Sequence, residues 1–311
     1  MKFAMIFPGQ GSQSVGMLSA YGDSTAVQEV LASASAALNQ DIGKLIADGP
    51  VEELNVTVNT QPVMLTAAYA AYRLWRELGG PEPSVVAGHS LGEYTALVVA
   101  GALRFEDALP LVRFRAQAMQ EAVPRGTGAM AAILGADDET VKAACVEAAQ
   151  GEVVEAVNFN APGQVVIAGH TAAVQRAMEI VKQKGAKRAV ALPVSAPFHS
   201  SLLTPAASRL RDYLQSVNFN PPIIPIIHNV DVQSHTTPEA LREALVSQAN
   251  HPVRWVETIR AMAATGVTHI AECGPGKVLA PLSKRIADGV QGMALADRAS
   301  IEQGIAALEA H

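Results

Sequence analysis

The fold is decided by residues 84–100, which read SVVAGHSLGEYTALVVA. A short apolar run of strand length is followed by GHSLG and then by an apolar stretch of helical character. A serine at a sharp turn from strand to helix has its hydroxyl exposed above the sheet, and flanking glycines let the two backbones pass closely. We therefore interpret Ser90 as the candidate nucleophile of a nucleophile elbow. An ordinary tight turn is the alternative, because glycine and serine are common.

Composition indicates a globular α/β protein built around a sheet buried on both faces. Of 311 residues, 49% are hydrophobic and only 17% are charged. The length exceeds that of most single domains and favours a large domain with a smaller one inserted or appended. The net charge of -6, without a basic run, argues against nucleic acid as a partner.

The two cysteines, Cys145 and Cys273, cannot form a disulfide framework, and neither belongs to a CxxC or Cys/His cluster. We expect a reducing, cytoplasmic setting and no metal site. The N-terminal run Met1–Phe7 is stopped by proline and glycine, too early for a signal peptide or a membrane span. We interpret it as the first strand and expect no membrane association.

The element order predicts two structural units. Residues 3–7 and 84–87 read as strands, and residues 62–78, 93–103 and 105–123 as helices. A different order follows, with strand 128–134, helix 138–149, strands 153–158 and 164–168, helix 171–184 and strand 187–193. This βαββαβ order is typical of a ferredoxin-like subdomain.

The remainder returns to the first pattern. It contains predicted helices at 205–215, 238–249 and 256–264, strands at 223–227 and 268–271, and terminal helices. We therefore predict a large domain formed by residues 1–125 and 199–311 and an inserted subdomain formed by residues 126–198.

Ser90 needs a base, and His199 is the best-placed histidine. It follows a predicted strand end and precedes a helix, where functional groups gather. A capping or hydrogen-bonded loop histidine is an equally weighted alternative, and His228 is a rival base. His89 adjoins the nucleophile, but neighbouring side chains at a turn usually point apart.

Gln10 lies in a glycine-rich turn directly after the first strand. The backbone amides of Gln10 and Leu91 could together form an oxyanion hole. A dinucleotide-binding loop is the weaker alternative, because Ser14 stands where the GxGxxG pattern requires its last glycine.

Arg115 lies on the apolar face of its predicted helix, among Leu111, Val112, Ala118 and Met119. A buried guanidinium requires an anion. An internal carboxylate is the more common partner, and a substrate carboxylate held by the guanidinium fork is the alternative.

Several motifs together resemble those of the malonyl-CoA:acyl-carrier-protein transacylases, and they span nearly the whole chain in order. They are FPGQGSQ at 7–13, GHSLGEY at 88–94, Arg115, GTGAM at 126–130, VNFNAPGQ at 157–164, PFHS at 197–200 and GPGK at 274–277. The resemblance implies an α/β hydrolase-like large domain with a ferredoxin-like insertion.

The resemblance also implies roles for individual residues. Ser90 would be the nucleophile, His199 the general base, and Arg115 the clamp for the malonyl carboxylate. Gln10 and Leu91 would supply the oxyanion-hole amides. Supporting positions are Gln248, whose backbone carbonyl would orient the histidine, Asn160, which would line the site, His89, and Phe198, an aromatic residue beside the base that resembles malonyl-selective acyltransferases.

The implied reaction is a ping-pong transfer from malonyl-CoA to the phosphopantetheine thiol of holo acyl carrier protein, with no cofactor and a monomeric enzyme. The carrier is expected to be acidic and to dock on a local basic surface. Candidate residues for that surface are Lys182, Lys184, Lys187, Arg188, Lys284 and Arg285.

A serine esterase or thioesterase is the main rival function. Such hydrolases place an aspartate or glutamate after a strand between the serine and the histidine. Asp107, Asp137 and Asp138 are the aspartates in that interval, and all read as helix starts. Family members that serve a malonate decarboxylase or a polyketide pathway would show nearly the same motifs, so these alternatives stay open.

Overall fold

A computed structural model describes residues 1–194 and 196–310. Its strands form two four-stranded sheets. In chain order the strands are β1 (Phe3–Phe7), β2 (Val85–Gly88), β3 (Gly128–Leu134), β4 (Val154–Ala161), β5 (Gln164–His170), β6 (Arg188–Ala191), β7 (His269–Cys273) and β8 (Gln291–Leu295).

Helices pack against both sheets, and short 3₁₀ turns lie at Ser19–Tyr21 and Ser201–Leu203. In chain order they are α1 (Thr25–Leu38), α2 (Ile42–Asp48), α3 (Val51–Leu54), α4 (Thr57–Glu77), α5 (Gly92–Val99), α6 (Phe105–Glu121), α7 (Asp138–Ala149), α8 (Thr171–Gln183), α9 (Thr204–Leu214), α10 (Pro238–Ala249), α11 (Trp255–Ala264), α12 (Leu279–Ile286) and α13 (Arg298–Glu309).

The first sheet is parallel throughout, with strand order β2-β1-β7-β8. Every residue of β1 is buried. Met5 and Phe7 pack into one apolar cluster, whereas Ala4 and Ile6 pack into another on the opposite face. This period-two division is that of a strand covered by helices on both sides. The sheet therefore confirms the α/β class expected from composition.

The second sheet is antiparallel, with order β4-β5-β3-β6, and lies wholly between residues 128 and 191. Helices α7 and α8 cover one face, where Ile133 and Val165 are buried with residues of both helices. The opposite face carries Met130 and Val166. The ferredoxin-like insertion is thereby confirmed, while its limits at residues 126 and 198 stay a prediction.

The two ends of this insertion meet. Strand β3, which begins it, pairs with β6, which ends it, through Ala131 and Ala191 among others. Gly128 lies so close to Pro197 that a Cβ atom at position 128 would be 2.4 Å from the proline Cδ. The chain therefore leaves the large domain and returns to it at nearly the same place.

Some predicted elements differ from the structure. Residues 223–227 form no strand; Ile226 makes a single parallel bridge with Val86, because Pro225 has no N–H to extend the ladder. Helix α5 ends at Val99 rather than at residue 103, just before Gly101 adopts a φ of 73°. Helices α1, α2 and α3 were not predicted from the sequence, and the region of β8, predicted as terminal helix, is a strand.

Candidate active site

Ser90 lies in the turn between β2 and α5, where its backbone adopts a left-handed φ of 52°. Two glycines make this turn possible. A Cβ atom at Gly88 would lie 1.8 Å from the backbone of Gly92, and one at Gly92 would lie 2.2 Å from the Phe7 carbonyl oxygen. The backbones of the strand, the turn and the helix are thus in direct contact, with no side chain between them. This is the geometry expected of a nucleophile elbow.

His199 faces the serine hydroxyl. Ser90 Oγ lies 2.7 Å from His199 Nε2, and His199 Nδ1 donates to the backbone carbonyl of Gln248 at 2.8 Å. That second bond assigns the proton to Nδ1 and leaves Nε2 as the acceptor for the hydroxyl. Burial, assisted by the charge of Arg115, lowers the pKa of His199 to about 3. The imidazole is therefore neutral near pH 7 and able to take a proton.

Arg115 reaches the same hydroxyl from α6 and is almost completely buried. Its Nη1 donates to Gln61 Oε1 at 2.8 Å, and its Nη2 donates to Gln248 Oε1 at 2.9 Å and to Ser90 Oγ at 3.2 Å. Its Nε has no hydrogen-bond partner among the described residues. No carboxylate oxygen of residues 1–194 or 196–310 lies within 4.0 Å of this guanidinium. The common reading of a buried arginine, a direct internal ion pair, is therefore wrong here.

Gln10 and Leu91 border the cavity in which Ser90, His199 and Arg115 meet. The turn after β1 approaches the elbow at Gly9, where a Cβ atom would lie 2.6 Å from the His89 carbonyl oxygen. Among the backbone hydrogen bonds of the described residues, neither the Gln10 amide nor the Leu91 amide donates one. Both N–H groups therefore remain available to an incoming oxygen.

The cavity lies between the two domains and is small. The inserted subdomain contributes Met130 and Asn158, and the segment after β6 contributes Leu192, Val194 and Phe198. Its volume is about 130 Å³, well below the roughly 300–1,000 Å³ of sites for drug-sized ligands. The space suits a short acyl group beside a buried cation, with any longer carrier outside.

The chain matches the acyl transferase domain family over residues 4–299. It is 55% identical over 295 residues to the malonyl CoA-acyl carrier protein transacylase of Escherichia coli K12, covering 94% of this chain and 96% of that protein. The chain belongs to the malonyl-CoA:acyl-carrier-protein transacylases. The solved S-malonyltransferase of Burkholderia pseudomallei is 64% identical, with a TM-score of 0.97, over 98% of this chain and 100% of that one.

A malonyl-transacylase solved in complex with a type II polyketide synthase acyl-carrier protein is also similar. It is 48% identical with a TM-score of 0.97, covering 99% of this chain and all of that one. The dinucleotide-binding alternative considered for the turn at Gln10 finds no support in these relatives. Among the described residues, no helix is long and apolar enough to cross a membrane, and no group of three or more histidine, cysteine or acidic residues could hold a metal.

Three further residues considered from the sequence, His89, Asn160 and His228, form no hydrogen bond to the hydroxyl of Ser90 among the contacts of the described residues. His89 Nε2 donates to Asn160 Oδ1 at 2.7 Å, away from the serine hydroxyl. Burial lowers the pKa of His89. His228 is the rejected rival base, since it is buried 3.5 Å from Glu93 while the hydroxyl of Ser90 bonds to His199.

Sequence reasoning missed four polar contributions to the site. They come from the side chains of Gln61, Glu93, Asn229 and Gln248, all buried; for Gln248 the family resemblance implied a role of the backbone carbonyl only. Glu93 carried a signal, since it is the one charged residue in the apolar run that follows the elbow. The other three are neutral and lie far from Ser90 in sequence, so no local pattern marked them.

Proposed function

We propose that this chain transfers the malonyl group from malonyl-CoA to the phosphopantetheine thiol of acyl carrier protein, through a malonyl ester of Ser90, in fatty-acid biosynthesis. One observation carries the proposal. A serine bonded to a neutral histidine shares a small cavity with a buried guanidinium that no carboxylate of the described residues approaches within 4.0 Å. The cavity thus offers a nucleophile to an acyl carbonyl and a cation to the free carboxylate of the same acyl group.

In the first half-reaction, His199 Nε2 takes the proton of Ser90 Oγ across 2.7 Å, and the serine oxygen attacks the thioester carbonyl carbon. The amides of Gln10 and Leu91 stabilise the resulting oxyanion. The tetrahedral intermediate then collapses, the carbon–sulfur bond breaks, and the thiol of CoA leaves with the proton held by His199. Ser90 now carries the malonyl group as an ester.

Arg115 holds the free carboxylate of that group. Its Nε forms no hydrogen bond with the part of the chain that the structure describes, and its Nη2 can release the longer bond to Ser90 Oγ once the oxygen becomes an ester. These two nitrogens form one edge of the guanidinium, which matches both oxygens of a carboxylate. An acyl group without a terminal carboxylate leaves this buried edge unpaired, which disfavours its binding.

The second half-reaction repeats the first in reverse order. His199 takes the proton of the carrier thiol, the sulfur attacks the serine ester, and Ser90 Oγ leaves with that proton. His199 is oriented by the neutral Gln248 carbonyl rather than by a carboxylate. We infer that this makes it a weaker base than in a Ser-His-Asp hydrolase, which favours the acidic thiol over water as the acceptor.

We further propose that the protein acts as a monomer in the cytoplasm. Ser90, His199 and Arg115 meet within hydrogen-bonding distance inside the chain, so the proposed chemistry requires no residue from a second copy. Both cysteines are free and buried, which is consistent with a reducing compartment. Transfer to a polyketide carrier is a second candidate, favoured by the likeness to the transacylase solved with such a carrier.

The proposal is tested by intact-mass measurement after brief mixing with malonyl-CoA. The protein should gain one malonyl group, lose it on addition of holo acyl carrier protein, and gain none in the Ser90→Ala variant. An adduct in Ser90→Ala would assign the nucleophile elsewhere. Rapid release of malonate without any carrier would instead favour the hydrolase function, and the two kinds of carrier can be compared as acceptors.

A further inference from the structure

Glu93 is a fully buried glutamate in the first turn of α5, three residues after the nucleophile. Its Oε1 accepts from the backbone amide of Asn229 at 2.6 Å, and its Oε2 accepts from Gln248 Nε2 at 3.3 Å. The mechanism above does not use it. Burying a carboxylate is unfavourable unless hydrogen bonds compensate for the lost hydration. The role of these two hydrogen bonds therefore requires an explanation.

Both hydrogen-bond partners of Glu93 hold the backbone of Ser90, while His228 Nδ1 lies 3.5 Å from the same carboxylate. Asn229 Oδ1 accepts from the Ser90 amide at 2.9 Å, and Gln248 Nε2 donates to the Ser90 carbonyl at 2.9 Å. Asn229 is held from its other side as well, because its Nδ2 donates to the Gly88 carbonyl at 2.7 Å. Through Asn229 and Gln248, the Glu93 carboxylate thus supports both the backbone amide and the backbone carbonyl of Ser90.

The Ser90 backbone needs such support because it adopts a positive φ. A non-glycine residue in this conformation is disfavoured and persists only where its surroundings impose it. Without fixed partners for its amide and carbonyl, the turn can relax and move Oγ out of line with His199. Displacements of this kind lower rates steeply, since proton transfer and attack both depend on alignment.

Glu93 also fixes the orientation of the Gln248 amide. Three acceptors face Nε2, namely the Ser90 carbonyl, Glu93 Oε2 and Asn229 Oδ1, while Oε1 faces the Arg115 guanidinium. A reversed amide would set an NH₂ against the guanidinium and an oxygen against three oxygens. The carboxylate therefore contributes to a single arrangement of the network.

We propose that Glu93 is a positioning residue that, through Asn229 and Gln248, holds the strained backbone of Ser90 in the geometry for attack. The inference rests on the proposed function, since it uses loading of Ser90 as its measure. It assigns Glu93 no contact with substrate. Its effect should fall on the rate constant of loading for any acyl group rather than on the choice between acyl groups.

The test is the single-turnover rate constant of acyl-serine formation in Glu93→Gln, with acetyl-CoA as well as malonyl-CoA. Glutamine keeps the length and an acceptor for Asn229 but sets a second NH₂ against Gln248 Nε2. We expect both rate constants to fall about tenfold or more, the effect of losing a hydrogen bond to a charged group. A purely structural role would lower only the amplitude, because misfolded molecules do not react and the rest react normally.

Two further comparisons complete the test, one with a control variant and one in the absence of the Arg115 guanidinium. Glu239→Gln is the matched control, an exposed glutamate in the first turn of α10, the helix that carries Gln248, and it should load at the wild-type rate. In an Arg115→Ala background, Glu93→Gln should still slow acetyl loading. An unchanged acetyl rate constant in either background would overturn the proposal.

Should Glu93→Gln fail to fold, Asn229→Ala tests the same route, because it removes the acceptor of the Ser90 amide while leaving Glu93 in place. A wild-type loading rate in that variant would also overturn the proposal. Wild-type protein is run in parallel with malonyl-CoA. If it forms no adduct, the proposed function fails, and that result is distinct from slow loading in the variants alone.

Discussion

At the residue scale, the site depends on two buried ionisable side chains, one neutral and one charged. His199 is kept neutral by burial and by the neighbouring cation, whereas Arg115 is a cation whose hydrogen-bond acceptors among the described residues are all neutral. The ring of Tyr94 adds to this setting, with the guanidinium carbon 5.3 Å from its centroid. The proposed base and the proposed carboxylate site thus both contact the hydroxyl of Ser90 without neutralising each other.

Replacing Arg115 by alanine should remove the preference for malonyl. Malonyl loading should fall about 100-fold or more, because two charge-assisted hydrogen bonds are lost, while acetyl loading should change far less. The measurement is the ratio of the two loading rate constants. Arg115→Lys, which keeps the charge but not the fork, should give an intermediate ratio. An unchanged ratio in Arg115→Ala would make the arginine structural.

Loading of Ser90 should be nearly independent of pH through the range in which a free histidine titrates. With the pKa of His199 at about 3 rather than the ordinary 6.5, the base stays deprotonated well below neutrality. The single-turnover rate constant should therefore stay flat from about pH 8 to about pH 5. An inflection near 6.5 would contradict this.

The same shift affects stability. Between about pH 6.5 and 3 the unfolded chain binds a proton at this position and the folded chain does not, so the free energy of unfolding should rise with pH there. His199→Gln should weaken that slope.

At the scale of elements, the site is the contact between two turns, one after β1 and one after β2. They meet at Gly9, Gly88 and Gly92, where a Cβ atom would overlap neighbouring backbone. The parallel pairing of β1 with β2, in which Phe7 lies beside Gly88, brings the two turns to the same edge of the sheet. The amides proposed for the oxyanion hole and the proposed nucleophile are thus brought together by the register of β1 and β2.

Gly92→Ala should lower the free energy of unfolding by about 1–3 kcal/mol, the usual cost of overpacking, because its Cβ would lie 2.2 Å from the Phe7 carbonyl oxygen. Denaturant titration measures this. Gly43→Ala in α2 is the control, since its Cβ would meet nothing nearer than 3.6 Å, and it should be neutral or slightly stabilising. Equal behaviour of the two variants would refute the close approach.

The same elements show what sequence can predict. Strand β1, the elbow and the βαββαβ order were predictable because each depends on local pattern, β1 on a short apolar run that ends at a proline and a glycine. The segment at residues 223–227 looked like a strand but pairs by one bridge, since its hydrogen bonding depends on Pro225 and on a distant partner. Likewise, the pairing of Ser90 with His199 followed from a strand-end argument and the family motifs, whereas Asn229 and Gln61 became visible only through three-dimensional contacts.

At the scale of the whole molecule, the carrier must reach the cavity from outside, and the candidate basic residues differ in availability. Lys182 and Lys184 pair with Glu179 and Glu147. Arg285 donates to Gln164 and to the Pro162 carbonyl. Within the described residues, Lys187, Arg188 and Lys284 form no ion pair. Arg188 is exposed on β6, the strand that leads to the cavity wall, and is the best of the candidates.

Arg188→Glu should slow transfer from the malonyl-enzyme to holo acyl carrier protein about tenfold at low ionic strength, with the defect shrinking as salt is added. Transfer to free pantetheine, which carries no charge, should be unchanged. Lys44→Glu on α2 makes a similar change of charge on the large domain and should leave both rates alone. A defect with pantetheine would mean that Arg188 supports the cavity rather than the carrier.

The meeting of Gly128 with Pro197 has a consequence for how the protein folds. Ser90 and His199 are separated by 109 residues of chain, and closing so long a loop is entropically unfavourable. Once the insertion folds and brings its own ends together, most of that loop is already closed. Ser90 and His199 then come together by closing a much shorter loop of flexible chain. The inserted subdomain should therefore fold before the site forms, and the catalytic pair should be among the last contacts made.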